Sequence, residues 1–162
     1  MLLLRDNAAD VIDQMFKDLN LDIFRIRNDY QQENYVLDIA DFATVIGAGE
    51  ASLGRPLKVL MSGWSPPTEL KSNNQQKNGG TLASDPETGT YRYADHARWW
   101  ADSLDYYNAQ GIQIDYLSMQ NEPNWAAPHD TCLLDPKESA TIAGYNTAFD
   151  AVYQEISSRS VN

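Results

Sequence analysis

Helical stripes and short apolar runs alternate along this chain, and few folds accept that alternation. Asp6–Leu19 places Val11, Ile12, Met15, Phe16 and Leu19 at helical spacing, and Asp22–Arg27 follows as a strand. Val36–Gly49 reads as a second helix through Val36, Ile39, Ala40, Ala43 and Ile46, and Leu57–Gly63 as a second strand. Ala94–Gln110 turns Ala97, Trp100, Leu104 and Tyr107 inward and closes on Gly111, after which Ile114–Met119 forms a third strand. Asp135-Pro136-Lys137-Glu138 has an N-cap, a proline at the first helical position and a carboxylate three residues after the cap. That predicts a last helix through Ile142, Tyr145, Phe149, Val152 and Ile156. Strands separated by helices pair in parallel through right-handed crossovers, so the three strands should lie side by side in chain order.

Three parallel strands cannot close a barrel, and alone they leave both sheet edges unpaired. The chain is therefore either a small open α/β sheet or part of a (β/α)8 barrel. The barrel fits the residues better, because each strand stops on polar or aromatic groups, and barrels of this kind place their chemistry at the carboxyl ends of their strands.

The third strand runs into Gln120-Asn121-Glu122-Pro123-Asn124-Trp125. Pro123 has no N–H for a ladder, so pairing stops and Glu122 is left at the rim. A carboxylate beside an amide and an aromatic ring suits sugar chemistry, in which an acid protonates a glycosidic oxygen. The second strand runs into Trp64-Ser65-Pro66-Pro67, where two prolines stiffen the exit and hold Trp64 at its own rim. In the first strand, Arg25 and Arg27 share one face, and Phe24 and Ile26 share the other. The blander alternatives are a solvated glutamate, a tryptophan capping a core and arginines on a wet sheet face.

At 162 residues and 43% apolar, the chain has the size and composition of one ordinary globular domain. A net charge of −11 argues against nucleic acid, whose phosphates need a basic surface. No apolar run is long enough to span a membrane. Leu2-Leu3-Leu4 is too short for the apolar region of a signal peptide, so none is expected in this chain.

Several residues draw modest readings. The Ser65–Tyr91 stretch is either a substrate-side rim loop or lid, or a simple insertion. Trp99 and Trp100 read as packing residues, His96 as solvent-facing, and Asp135 and Glu138 as capping residues. His129 reads as a surface residue, with substrate contact as the lesser option. Cys132 is either a half-buried free thiol or half of a disulfide to a segment outside this sequence.

With Arg25-Ile26-Arg27-Asn28, Trp64-Ser65-Pro66-Pro67 and Leu117–Trp125 in that order, the chain resembles glycoside hydrolase family 30. That family includes glucosylceramidases, glucuronoxylan xylanases and β-1,6-glycanases. The resemblance runs from about Val11 to Ile156. It implies an α/β fold, a partial (β/α)8 TIM barrel covering strands 2–4 and helices 1–4, with residues 1–162 as one incomplete catalytic domain. It makes Glu122 the general acid/base of a retaining hydrolase acting on β-glycosidic bonds. Asn121 would hydrogen-bond the sugar's 2-hydroxyl, and Trp64 would wall that subsite. Arg25 would support the catalytic carboxylates, Arg27 is a weaker match, and Trp125 is a platform on the leaving-group side. The implied partner is a β-linked glycan or glycoside. No cofactor and no metal is implied, and the parent protein would be secreted or extracellular.

One departure matters. The family's nucleophile is a glutamate ending the seventh barrel strand, whereas the glutamates after Glu122 are Glu138 and Glu155, which the periodicity puts on the last helix. The chain then reads either as part of a retaining glycosidase or as a non-catalytic product, a sugar-binding remnant or an unstable piece of an incomplete reading frame. A barrel glycosidase of another family in the same clan would share Glu122 without needing Trp64-Ser65-Pro66-Pro67.

Overall fold

The computed structural model describes residues 8–32 and 36–159. The expected helix start at Asp6 and part of the Gln31–Asn34 loop lie outside them, as does the side chain of Val36. The elements, in chain order, are α1 (Ala8–Ile12), β1 (Ile23–Arg27), α2 (Val36–Leu53), β2 (Lys58–Ser62), α3 (Tyr93–Ala109), β3 (Tyr116–Ser118) and α4 (Tyr145–Arg159). The chain folds as two compact units. One takes the residues up to Ser62 with Asp105–Ser118, and the other takes Gly63–Leu104 with the residues from Met119 onward.

The first unit holds the sheet, parallel throughout and in the order β1-β2-β3. Its register sets Arg25 beside Leu60 and Leu60 beside Tyr116, with Ile26 beside Met61 and Met61 beside Leu117. Because strand side chains alternate, Phe24, Ile26, Val59 and Met61 share one face, and all four are buried. The other face carries Ile23, Arg25, Leu60 and Tyr116, with Ile23 52% and Tyr116 50% exposed. Asp115 fixes the entry to β3, bonding Lys58 Nζ at 2.6 Å and accepting the Val59 N–H at 2.9 Å. The third strand, paired over Tyr116–Ser118, is shorter at both ends than the expected Ile114–Met119.

Two helices of this unit depart from their predicted stripes. Past Ile12 the first helix widens into a π-helix over Asp13–Asp18, in which the Leu19 N–H reaches the Gln14 carbonyl five residues back. The wider turn spoils the 3.6-residue spacing. Ile12 and Phe16 stay buried, with Phe16 edge-on to Phe24 at 6.1 Å, whereas Val11 and Leu19 are exposed. The second helix runs past Gly49 to Leu53 and buries Ile39, Phe42, Val45 and Ile46, while Ala40 faces outward.

The second unit is built around Trp100, fully buried on α3, with Leu82, Ala97, Trp99, Met119, Leu134, Ala148 and Val152 also in its interior. The Ser65–Tyr91 stretch is a folded loop, with a 3-10 turn at Thr68–Leu70 and bridges pairing Lys71 with Leu82 and Ser84 with Tyr91. The last helix begins at Tyr145, not at Pro136. The Asp135 carbonyl accepts the Tyr145 N–H at 2.6 Å, and the Asp135 N–H donates to the Ala143 carbonyl at 3.0 Å. With its backbone tied across this loop, Asp135 does not cap a helix. Gly144 does, its carbonyl accepting the Ala148 N–H at 3.0 Å. The buried face of this helix runs through Ala148 and Val152, so that Phe149 is 47% exposed instead of facing inward.

Candidate active site

The second unit gathers most of the strand-end residues into one hydrogen-bonded turn. Gly63, which follows β2, has a carbonyl that accepts the Asn121 N–H at 2.7 Å. The Gln120 amide donates to the carbonyls of Trp64 at 2.8 Å and Asn121 at 2.9 Å. These three bonds tie the chain around Trp64 to the chain around Glu122. Gln120 is buried, and the sequence marks it only as part of the Leu117–Trp125 motif, with no role of its own. The approach is close: a Cβ on Gly63 would stand 2.8 Å from the Trp100 ring and 2.9 Å from the Met119 carbonyl oxygen. No larger residue fits there without moving backbone.

Glu122 is exposed and adopts φ 48°, the left-handed region that non-glycine residues rarely enter. Two bonds hold it there. Its carbonyl accepts the Trp125 N–H at 3.1 Å, and its carboxylate accepts the Asn121 side-chain amide at 3.1 Å. Pro123 follows and cannot extend the ladder. Backbone strain of this kind concentrates at functional sites, where surrounding contacts over-determine the conformation. Trp125 is 49% exposed and meets the His129 ring edge-on at 5.2 Å, so His129 is a surface residue, as expected.

The loop carrying Glu122 and Trp125 is anchored from beneath. Thr131 donates its hydroxyl to the Trp125 carbonyl at 2.7 Å, and the Leu134 N–H donates to the Pro123 carbonyl at 2.8 Å. Lys71 reaches the same segment from the long loop. Its Nζ donates to the carbonyls of Gly79 (2.6 Å) and Thr131 while the side chain is wholly buried. Burial pushes the Lys71 pKa down, against the pull of Cys132 and Asp130. A buried lysine in a polar loop has no sequence signature, because periodicity marks apolar faces. Cys132 is a free thiol and is fully buried instead of half-buried; burial lifts its pKa to about 11.

His96 reverses its expected exposure. It is 1% exposed, stacked on Trp99 at 5.8 Å, and burial pushes its pKa down to about 4. The α3 stripe is wide enough to bury His96, Ala97, Trp99 and Trp100 together, which a stripe through Ala97, Trp100 and Leu104 does not anticipate. Trp99 and Trp100 are packing residues, as expected. Glu138 does not cap a helix: it accepts the Tyr93 hydroxyl at 2.6 Å. Burial, then that bond to Glu138, pushes the Tyr93 pKa up to about 12.

Arg25 and Arg27 belong to the first unit. Arg25 Nε donates to the Ser62 hydroxyl at 2.9 Å, and Arg27 pairs with buried Asp29 at 2.8 Å.

Residues 16–134, a span that includes both arginines, Trp64 and the Asn121-Glu122-Pro123 turn, match the model of the glycosyl hydrolase family 30 TIM-barrel domain. The chain belongs to glycosyl hydrolase family 30. The family 30 chain is 29% identical over 99 residues to lysosomal acid glucosylceramidase of Mus musculus, a match covering 59% of this chain and 19% of that protein. It thus spans about a fifth of that relative's length. Among solved structures it is similar to SrfJ from Salmonella typhimurium, with a TM-score of 0.74 at 24% identity, over 96% of this chain and 37% of that one. It is also similar to the catalytic domain of a family 30 xylanase C from Talaromyces cellulolyticus, with a TM-score of 0.71 at 20% identity, over 94% and 39%. These likenesses establish the fold: the parallel sheet and its four helices are part of a (β/α)8 barrel, the second to fourth strands in the family's order. Among the described residues, no helix is long and apolar enough to cross a membrane.

Proposed function

We propose that this chain supplies the acid/base half of a retaining β-glycosidase site, with Glu122 as the proton donor. Retaining hydrolysis uses two carboxyls roughly 5–5.5 Å apart, one attacking the anomeric carbon and the other protonating the leaving oxygen. Glu122 protonates that oxygen in the first step and then deprotonates the water that releases the sugar. Asn121, already bonded to the Glu122 carboxylate, holds the 2-hydroxyl. Trp64 walls the cleavage subsite, Trp125 offers a platform on the leaving-group side, and Arg25 supports the carboxylate pair, with Arg27 in a lesser part. The substrate is a β-linked glycan or glycoside.

The nucleophile comes from outside these residues. Glu138 is engaged by Tyr93, and Glu155 lies on α4 paired with Arg159 at 2.9 Å. The observation that carries the reading is the strained, exposed Glu122 inside the Asn121-Glu122-Pro123 turn of a family 30 chain. Kinetics of Glu122→Gln in the glycosidase that carries this chain tests it. The variant should lose most of its rate on substrates with poor leaving groups and keep it on activated aryl glycosides, because only poor leaving groups need protonation. Equal loss on both would show that Glu122 is not the acid/base. The 162-residue chain alone should cleave neither class.

A further inference from the structure

Beyond their last paired residues, Ser62 and Ser118, β2 and β3 run on into the Trp64 and Glu122 turns. Pro123 has no N–H to offer, so the ladder cannot resume on the far side of Glu122. A backbone bond still crosses between the two exits, from the Asn121 N–H to the Gly63 carbonyl at 2.7 Å. The next carbonyl, that of Trp64, takes its donor from a side chain instead: the buried amide of Gln120, at 2.8 Å. The same nitrogen donates to the Asn121 carbonyl at 2.9 Å. A side-chain NH2 carries two donors, and here both go to main-chain oxygens of the two exits.

Glu122, at φ 48°, is the strained residue of this turn. Its φ and ψ relate two peptide units, the one it shares with Asn121 and the one it shares with Pro123. Gln120 holds the first through the Asn121 carbonyl, and the Trp125 N–H holds the second through the Glu122 carbonyl at 3.1 Å. With both peptide planes tied, the residue has little freedom to relax, and a strained conformation persists only where its surroundings over-determine it. The Asn121 side chain then meets the Glu122 carboxylate at 3.1 Å from a backbone fixed at both its N–H and its carbonyl.

We infer that Gln120 is a positioning residue: its amide clamps the Trp64 exit to the Asn121–Glu122 peptide and thereby aims the Glu122 carboxyl at the leaving oxygen. The inference rests on Glu122 being the proton donor. Aim matters because proton transfer needs the carboxyl within hydrogen-bond reach of that oxygen, roughly 2.6–3.2 Å. A misplacement of about 1 Å can cost on the order of a hundredfold in rate. The chemistry at position 120 is also specific to an amide. An ionised carboxylate of the same shape has acceptors only and would face two carbonyl oxygens, and a thioether chain would leave both without this donor.

The test combines leaving-group kinetics with hydrogen exchange in the glycosidase that carries this chain. Gln120→Met keeps the length of the side chain without its donors, and Gln120→Glu keeps its shape with the wrong polarity. Both variants should cleave alkyl β-glycosides about tenfold to a hundredfold more slowly, the glutamate substitution more so than the methionine one. Activated aryl β-glycosides, which need no protonation, should be cleaved within about twofold of the parent rate. Deuterium uptake should quicken over residues 63–67 and 120–125 and stay unchanged elsewhere. Equal losses on both substrate classes, or faster uptake throughout the enzyme, would mark a general loosening and overturn the inference. Unaltered kinetics and uptake would overturn it too. Failure of the acid/base reading shows separately, as a Glu122→Gln variant that loses both classes equally. In that case the clamp is decided by uptake alone: a local rise upholds it, and no change overturns it.

Discussion

The Tyr107 hydroxyl accepts the backbone N–H of Asp29 at 2.9 Å, and the same hydroxyl donates to the Arg27 carbonyl at 3.0 Å. One phenol thus holds the chain where it leaves β1, in the unit that carries the sheet. Tyr107 is fully buried, and burial raises its pKa, so the hydroxyl stays protonated across the working range. Tyr107→Phe keeps the ring but strips both bonds, leaving a buried N–H and carbonyl without this partner. The expected cost is about 1–3 kcal/mol in urea unfolding, with little change in the dependence on denaturant concentration.

His96 makes the second unit sensitive to acid. Its pKa in the folded chain, about 4, lies below the 6.5 of an unperturbed histidine, so the unfolded chain takes up the proton first as pH falls. The neutral ring's contribution is complete above pH 6.5 and is lost as pH drops from there towards 4. The loss reaches at most about 3 kcal/mol at the rate of 1.36 kcal/mol per pKa unit. Thermal unfolding measured across that window should show the decline, and His96→Gln should flatten it. An unchanged slope in the variant would assign the acid sensitivity to carboxylates.

Glu122 should trade stability for function. A left-handed conformation costs an L-residue roughly 1–2 kcal/mol, which glycine avoids at the expense of extra freedom when unfolded. Glu122→Gly should therefore raise stability by about 0.5–1 kcal/mol. The same substitution removes the proposed proton donor. A loss of stability would mean that the bond from Asn121 outweighs the backbone strain.

Lys71 should behave as a structural pin. Lys71→Met keeps most of the bulk but deprives the Thr131 carbonyl of the lysine donor, leaves the Gly79 carbonyl with only the longer bond from Asn73 at 3.3 Å, and leaves the charge of Asp130 less compensated. A destabilisation of about 3 kcal/mol is expected for removing one partner from such a buried arrangement. Cys132 reports the effect locally. Buried and with its pKa lifted to about 11, it should resist a thiol reagent in the native chain and react readily in Lys71→Met. Proteolysis between residues 72 and 80 should accelerate in parallel.

The parallel sheet and its order were legible in the residues, and so was the alternation of Phe24 and Ile26 against Arg25, because burial writes period-two and period-3.6 patterns into sequence. The Asn121-Glu122-Pro123 turn was legible because proline at a strand end has one consequence, the end of the ladder. The tertiary structure alone decided what those patterns do not encode. The π-helix at Asp13–Asp18 slips the stripe by changing the helical period, so Leu19 is exposed despite its spacing. A sound capping signal at Asp135 lost to a backbone bridge opposite Gly144, because a bridge that satisfies the N–H and carbonyl of Asp135 through Ala143 and Tyr145 competes directly with a cap. The burial of His96 and Lys71 depends on neighbours distant in sequence: Trp99 stacks on one, and the carbonyls of Gly79 and Thr131 receive the other. Local sequence fixes which segments pair and where each strand stops. Which polar groups can be buried depends on partners that only the folded chain brings within reach.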